Sequence, residues 1–236
     1  AYWHDRDLLT ASLPAGGLVT INDVTRNLAT LLVTGPKAPA ILADMTGQSM
    51  THDDFVWLSH RKIDLANCQA NVIRVSFAGE AGFEIHCQMD DVVAVYDAVM
   101  AAGAAHQLRP FGMLALDSMR LEKGYRSWKA DLTSDYTMLE SGLGRWVNFN
   151  KDDFVGRTAL QAEKQAGSQV EFVTLTLDDP DDGAPFGEAV YLSNVSIDGV
   201  DAGLVVSAGY GHRVGASIAM AVVDREALAK AKDISV

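Results

Sequence analysis

The chain has 236 residues, of which 48% are hydrophobic, and a formal net charge of -12. That length is enough for one large domain or two modest ones around a sizeable core. An acidic chain without clustered Lys and Arg is not expected to grip nucleic-acid phosphates, and no apolar run or basic amphipathic segment marks a membrane span or anchor.

In chain order, residues 5–12 read as a short helix closed by the turn cluster Leu13-Pro14-Ala15-Gly16-Gly17. Residues 18–24 alternate apolar and polar and predict a strand, and residues 27–33 predict a second. Gly35-Pro36 breaks the chain and suits a helix start, with the helix running to about Met45. Thr51-His52-Asp53-Asp54 resembles a capping box with Asp in place of Glu, which predicts a short helix. Residues 70–77 and 82–89 predict strands joined through Gly79-Glu80-Ala81-Gly82. Residues 90–102 form an amphipathic pattern, with Val92, Val95, Tyr96 and Val99 on one face and Gly103 after it. Pro110 opens the next helix, and Gly124 stands where a left-handed C-cap residue is wanted.

Beyond Gly124 the segment from Tyr125 to Asp131 holds Tyr125, Arg126, Trp128, Lys129 and Asp131, a density of polar and aromatic groups typical of binding loops. Residues 158–165 predict a linking helix, and 170–177 a strand. An acidic loop follows over 178–182. Short strands are predicted at 190–192, 195–197, 202–207 and 218–223, with Asp198-Gly199 as a hairpin turn. The tail is therefore mostly β, and a small barrel or sandwich is expected from about Arg157. Ala1 opens the chain without Met and Ile234-Ser235-Val236 reads as the start of a strand, so a piece of a longer polypeptide is expected.

Cys68 and Cys87 show no CxxC pairing, which favours a reducing, cytoplasmic setting over a disulfide. The six histidines form neither HxH nor HExxH, and no sequence-local metal site is expected. Three polar groupings stand out. Glu84 lies between Phe83 and Ile85 in a predicted strand, so alternation puts it on the opposite face. Its charge alone favours solvent exposure. Asp117, Arg120 and Glu122 fall within two helical turns, an arrangement read as a scaffold ion pair. Ser207-Ala208-Gly209-Tyr210-Gly211-His212 lacks the spacing of a dinucleotide loop and reads as a turn or bulge. No serine or cysteine carries a nucleophile signature.

Four segments add to this in their order and spacing. They are Gly79-Glu80-Ala81-Gly82-Phe83-Glu84-Ile85, the run from Leu116 to Trp128, Leu139-Glu140-Ser141-Gly142-Leu143, and Asp153-Phe154-Val155-Gly156-Arg157. Together they resemble the folate-binding aminomethyltransferase family, which includes the T-protein of glycine cleavage. The Glu122-Lys123-Gly124-Tyr125-Arg126-Ser127-Trp128 wording and Ala208 to His212 look most similar to the folate domains of dimethylglycine and sarcosine dehydrogenases.

The resemblance covers essentially the whole chain. It implies an α+β cloverleaf of three lobes around a channel that binds tetrahydrofolate. Residues 1–156 would form the folate-binding lobes, without their N-terminal part, and residues 157–236 a C-terminal β-barrel lobe, so that the fold is cut short at both ends. By the same resemblance Glu84 faces the channel and holds the pteridine, since a carboxylate can accept two charge-assisted hydrogen bonds from the ring's amino and N–H donors. Tyr125 is implied to line the folate site. Phe77 stands where many relatives have Tyr, keeping a packing surface but no hydroxyl. The family's assisting Asp lies N-terminal to the part matched by Ala1, which leaves the catalytic residue of this chain unassigned.

The implied function is tetrahydrofolate-dependent one-carbon transfer from a methylated or aminomethyl amine. The alternatives are an O- or S-demethylase with folate as acceptor, or a non-catalytic folate binder serving assembly of another protein. The implied partners are a small amine donor and either a flavin domain or a lipoyl carrier protein, with no nucleic acid, membrane or metal.

Overall fold

In the computed structural model, which describes residues 2–178 and 191–236, the chain divides into two units. The first comprises residues 1–76 and 80–109, and the second residues 77–79 and 110–236.

The first unit begins with helix α1 (Tyr2–Ala11), which buries none of its residues. Strand β1 (Leu28–Thr34), helix α2 (Ala38–Thr46), strands β2 (His60–Leu65), β3 (Cys68–Ile73) and β4 (Gly82–Gln88), and helix α3 (Val92–Gly103) follow. The strands form an antiparallel sheet in the order β1-β4-β3-β2. Val33, Ile63, Leu65, Val72, Phe83, Ile85 and Cys87 turn to one face, where they join Leu42 of α2 and Val95 and Val99 of α3 in one core. Phe83 is 0% exposed, so its truncation would cost about 3–5 kcal/mol.

Three sequence expectations fail here for identifiable reasons. Residues 18–24 form no strand: Leu18, Val19, Ile21 and Val24 are exposed and no neighbouring strand pairs with them. Alternation alone does not satisfy backbone N–H and C=O groups. The Thr51–Asp54 segment makes a turn without the reciprocal bonds of a capping box: Thr51 Oγ1 donates to Asp54 Oδ2 at 2.9 Å, side chain to side chain, and the Phe55 N–H reaches the Thr51 carbonyl at 3.0 Å. It stops at one turn, because Phe55 is drawn into the core and Leu58 adopts φ 62. Tyr96 is exposed, and α3 buries Val95 and Val99 instead.

The second unit contains helix α4 (Met113–Leu121), helix α5 (Arg157–Ala166), strands β5 (Val170–Thr176), β6 (Asn194–Ile197), β7 (Val200–Gly211) and β8 (Ala216–Asp224), helix α6 (Arg225–Lys230) and strand β9 (Ile234–Ser235). Its antiparallel sheet runs β5-β8-β7-β6-β9. Strand β8 is buried on both faces. Ile218, Met220 and Val222 join Leu121 and Phe172 on one side, while Ala219, Ala221 and Val223 join Val195, Ile197 and Val205 on the other. Hence its near-continuous apolar run. The Asp198-Gly199 turn links β6 to β7 with φ 51 and 81, both left-handed, as a two-residue hairpin of this type requires. Leu192 lies in a turn, not a strand, and residues 179–182 of the acidic loop and Val190 lie outside the described residues.

Candidate functional site

Glu84 sits on β4, opposite Leu32 of β1 and Ile73 of β3. Its flanking residues Phe83 and Ile85 are sealed in the core, so the pleat turns Glu84 to the other face, where its side chain is 39% exposed. His86, two residues on, shares that face. Its Nε2 is 3.2 Å from Glu84 Oε2, and its Nδ1 is 3.0 Å from Thr30 Oγ1 on β1. Glu84 Oε1 has no hydrogen-bond partner among the described residues. The carboxylate is thus half-accessible, with one oxygen tied to its own strand and acceptor capacity left for an incoming N–H donor. His86 and Thr30 were not singled out by sequence. The i,i+2 spacing of Glu84 and His86 was a readable signal, whereas Thr30 is brought in only by strand pairing.

In the second unit, the rings of Phe77 and Tyr125 stack, with centroids 6.1 Å apart and planes 19° from parallel. A flat ring sandwiched between them would need about 7 Å, two contacts of ~3.5 Å. The pair therefore presents one aromatic wall. Phe77 is 38% exposed, so part of that wall faces solvent in this unit.

Tyr125 is held by the end of α4. Gly124 takes φ 65, its N–H reaches the Leu121 carbonyl at 3.0 Å, and the Tyr125 N–H reaches the Arg120 carbonyl at 3.0 Å. These are the two bonds of a Schellman stop, in agreement with the expected left-handed residue at Gly124. Arg120 returns a side-chain bond to the same residue, its Nη1 donating to the Tyr125 carbonyl at 3.1 Å.

Arg120 is 2% exposed and fully engaged. Its Nε donates to Asp117 Oδ1 at 2.7 Å, Nη1 to Asp131 Oδ2 at 2.5 Å, and Nη2 to Ser207 Oγ at 2.8 Å. This is the scaffold ion pair expected of Asp117 and Arg120, with one correction. Glu122 does not join it, because its Oε1 accepts from the backbone N–H groups of Arg213 at 2.6 Å and Val214 at 3.2 Å. The buried anion is Asp131, at 0% exposure, which also accepts from the Ser127 N–H at 2.6 Å.

Ser207 reaches Arg120 through a bulge. The β7–β8 register shifts between Val205 and Ser207, so that Ser207 faces Met220 on the α4 side. The expected turn or bulge at Ser207 is thus a bulge, and the residues after it continue β7. Next to this network Arg126 lies over the Phe172 ring at 4.3 Å. Burial pulls its guanidinium below its ordinary value, and Asp131 opposes that shift.

Cys68 and Cys87 are free thiols. No helix among the described residues is long and apolar enough to cross a membrane. The described residues hold no group of three His, Cys, Asp or Glu arranged to take a metal.

Comparison with known proteins places this architecture. The GCVT N-terminal domain family matches residues 1–151, and the glycine cleavage T-protein C-terminal barrel domain family matches residues 171–236. Human mitochondrial dimethylglycine dehydrogenase is 33% identical over 93% of the chain and 25% of its own length. Human mitochondrial sarcosine dehydrogenase is 37% identical over 66% of the chain and 17% of its own length. The aminomethyltransferase of Bacillus subtilis (strain 168) is 30% identical over 94% of the chain and 60% of its own length. The chain thus spans about a quarter of the dimethylglycine dehydrogenases it matches. In fold it is similar to the glycine cleavage system aminomethyltransferase T from Bartonella henselae, with a TM-score of 0.70 at 23% identity over 84% of this chain and 52% of that one. The expected α+β fold with a barrel-type C-terminal lobe agrees with these matches, and the chain belongs to the glycine cleavage T-protein (GCVT) family.

Proposed function

We propose that the chain binds tetrahydrofolate and serves one-carbon transfer from a small methylated or aminomethyl amine. The names of its relatives, aminomethyltransferases and dimethylglycine and sarcosine dehydrogenases, support that reading. The observation that carries it is the placement of Glu84, a half-exposed carboxylate turned away from the core with Oε1 unpartnered among the described residues. Such a group fits the amino and ring N–H donors of a pteridine. Phe77 and Tyr125 fit as an aromatic wall for the cofactor, a role that needs only one exposed face of the stacked pair.

When bound, tetrahydrofolate supplies the nucleophilic N5 that accepts the one-carbon unit. The chain's own residues bind and orient. Glu84 accepts hydrogen bonds and fixes the in-plane angle of the pteridine. Arg120 and Asp131 keep Tyr125 in place. The amine donor would be delivered through a flavin domain or a lipoyl carrier protein.

Calorimetric titration of the chain and of Glu84→Gln with tetrahydrofolate tests this reading. The amide turns an N–H2 toward the cofactor's donors, so affinity should fall about tenfold, as expected for loss of a charged acceptor in a half-exposed site. Affinity unaffected by the substitution would remove Glu84 from the site, and no binding by the unaltered chain would refute the assignment of folate.

A further inference from the structure

Glu84 carries one hydrogen bond on its own sheet face, and the atom that makes it has a defined chemistry. An ionised carboxylate only accepts, so the His86 Nε2 at 3.2 Å must carry the proton of that contact. In a neutral imidazole the other nitrogen, Nδ1, is then an acceptor. Thr30 Oγ1, 3.0 Å from Nδ1, supplies the matching O–H. Each hydrogen bond dictates the direction of the next: the Thr30 hydroxyl donates to His86 Nδ1, and His86 Nε2–H donates to Glu84 Oε2. No charged residue sits directly across from His86. Its cross-strand partners are Thr30 on β1 and Asn71 on β3.

From this we infer that His86 is a positioning residue for Glu84, set as the Nε2–H tautomer by the carboxylate and held in place by the Thr30 hydroxyl at Nδ1, so that one carboxylate oxygen is anchored and the other is presented for ligand. This rests on the reading of Glu84 as the pteridine acceptor. Without the anchor the carboxylate, 39% exposed, would sample several rotamers, and binding would have to select one of them. Thr30 and His86 lie on the sheet face away from the apolar core, so replacing them removes the relay without opening a cavity.

The test joins a spectroscopic and a binding measurement on the 236-residue chain. Nitrogen-15 histidine spectra should show His86 protonated at Nε2 and unprotonated at Nδ1, and Thr30→Val, which removes the O–H donor to Nδ1, should shift the Nδ1 resonance while the proton stays on Nε2. A dominant Nδ1–H tautomer in the unaltered chain would overturn the inference whether or not folate binds. In tetrahydrofolate titrations, His86→Ala should weaken affinity about fivefold, the scale of one hydrogen bond to a half-exposed carboxylate. His86→Gln, whose side-chain amide keeps an N–H for Glu84, should stay within about twofold.

Equal losses in the Ala and Gln variants, or none in the Ala variant, would end the positioning role. Glu84→Gln, measured alongside, separates the two failures. If it weakens binding while His86→Ala does not, only the inference about His86 falls. If it changes nothing, the reading of Glu84 falls, and the role of His86 with it.

Discussion

Asp131→Ala is the perturbation with the largest expected consequence outside the apolar cores. Arg120 is 2% exposed and Asp131 0% exposed, and their contact is 2.5 Å. Removing one member of such a pair leaves a buried charge without its counter-ion, at a typical cost of 3–5 kcal/mol. Asp117 stays in place at 2.7 Å but is 48% exposed, so it offsets part of the loss from a wetter position. The expected cost is therefore at the low end, about 3 kcal/mol. Asp117→Ala breaks only the half-exposed arm and should cost about 0.5–1 kcal/mol.

Because the chain has two units, bulk unfolding is a poor assay, and amide hydrogen exchange of the β7–β8 ladder reports the second unit by itself. Exchange through opening of that unit should accelerate roughly 10²-fold in Asp131→Ala and at most about fivefold in Asp117→Ala. Comparable effects of the two substitutions would show that burial does not set the energetics of this network, and the reasoning would be wrong.

Three further outcomes follow from individual sites. Gly124→Ala should destabilise the second unit by about 1–2 kcal/mol, because the nearest contact of an added Cβ, Thr174 Oγ1 at 3.5 Å, is ordinary and only the left-handed φ of 65° is penalised. An unchanged exchange rate would contradict the Schellman geometry. Phe77→Ala removes the partner of the Tyr125 ring. It should cost about 0.5–1.5 kcal/mol of stacking and weaken tetrahydrofolate affinity, whereas wild-type affinity in calorimetry would dissolve the proposed aromatic wall. Asp54 titrates below its ordinary 3.8 because the Ser49 and Thr51 hydroxyls donate to its charged form. The stability it adds is complete above 3.8 and is lost as pH falls through the lowered folded value. A carboxyl carbon-13 titration with its midpoint at or above 3.8 would contradict this.

Legibility in the sequence tracked how local each cause was. The stop at Gly124 and the turn at Asp198-Gly199 are decided within a few residues, and both were readable. Strand β8 was readable because burial on two faces leaves a solid apolar run. Strand β2 was not, since His60, Arg61, Lys62 and Asp64 outnumber Ile63 and Leu65 along it. Residues 18–24 have the pattern of a strand and lack the neighbour that would make them one. Around Arg120 the helical partner Asp117 was legible from its i,i+3 spacing. Asp131 and Ser207 were not, because a loop closure delivers the first and a bulge rotates in the second. Glu84 illustrates a mixed case. Alternation correctly sends it to the face away from Phe83, but whether that face carries a ligand group or idle charge is a matter of neighbours, and His86 and Thr30 become its neighbours only through folding.

The double attachment of Tyr125 to Arg120 has a dynamic consequence. One residue holds the amide of Tyr125 through its carbonyl and the carbonyl of Tyr125 through its guanidinium. A peptide segment pinned at both ends by a single buried anchor has little hinge freedom left. Motion of the aromatic ring is then confined to its own side-chain torsions, on the picosecond-to-nanosecond scale, while the main chain beneath it stays quiet on slower scales. Loop residues this well mounted lose little entropy on meeting a ligand, because most of the ordering has already been done by the fold. Shortening the anchor, as in Arg120→Lys, would return that freedom to the loop, and the change would register first as a drop in the order parameter of the Tyr125 amide.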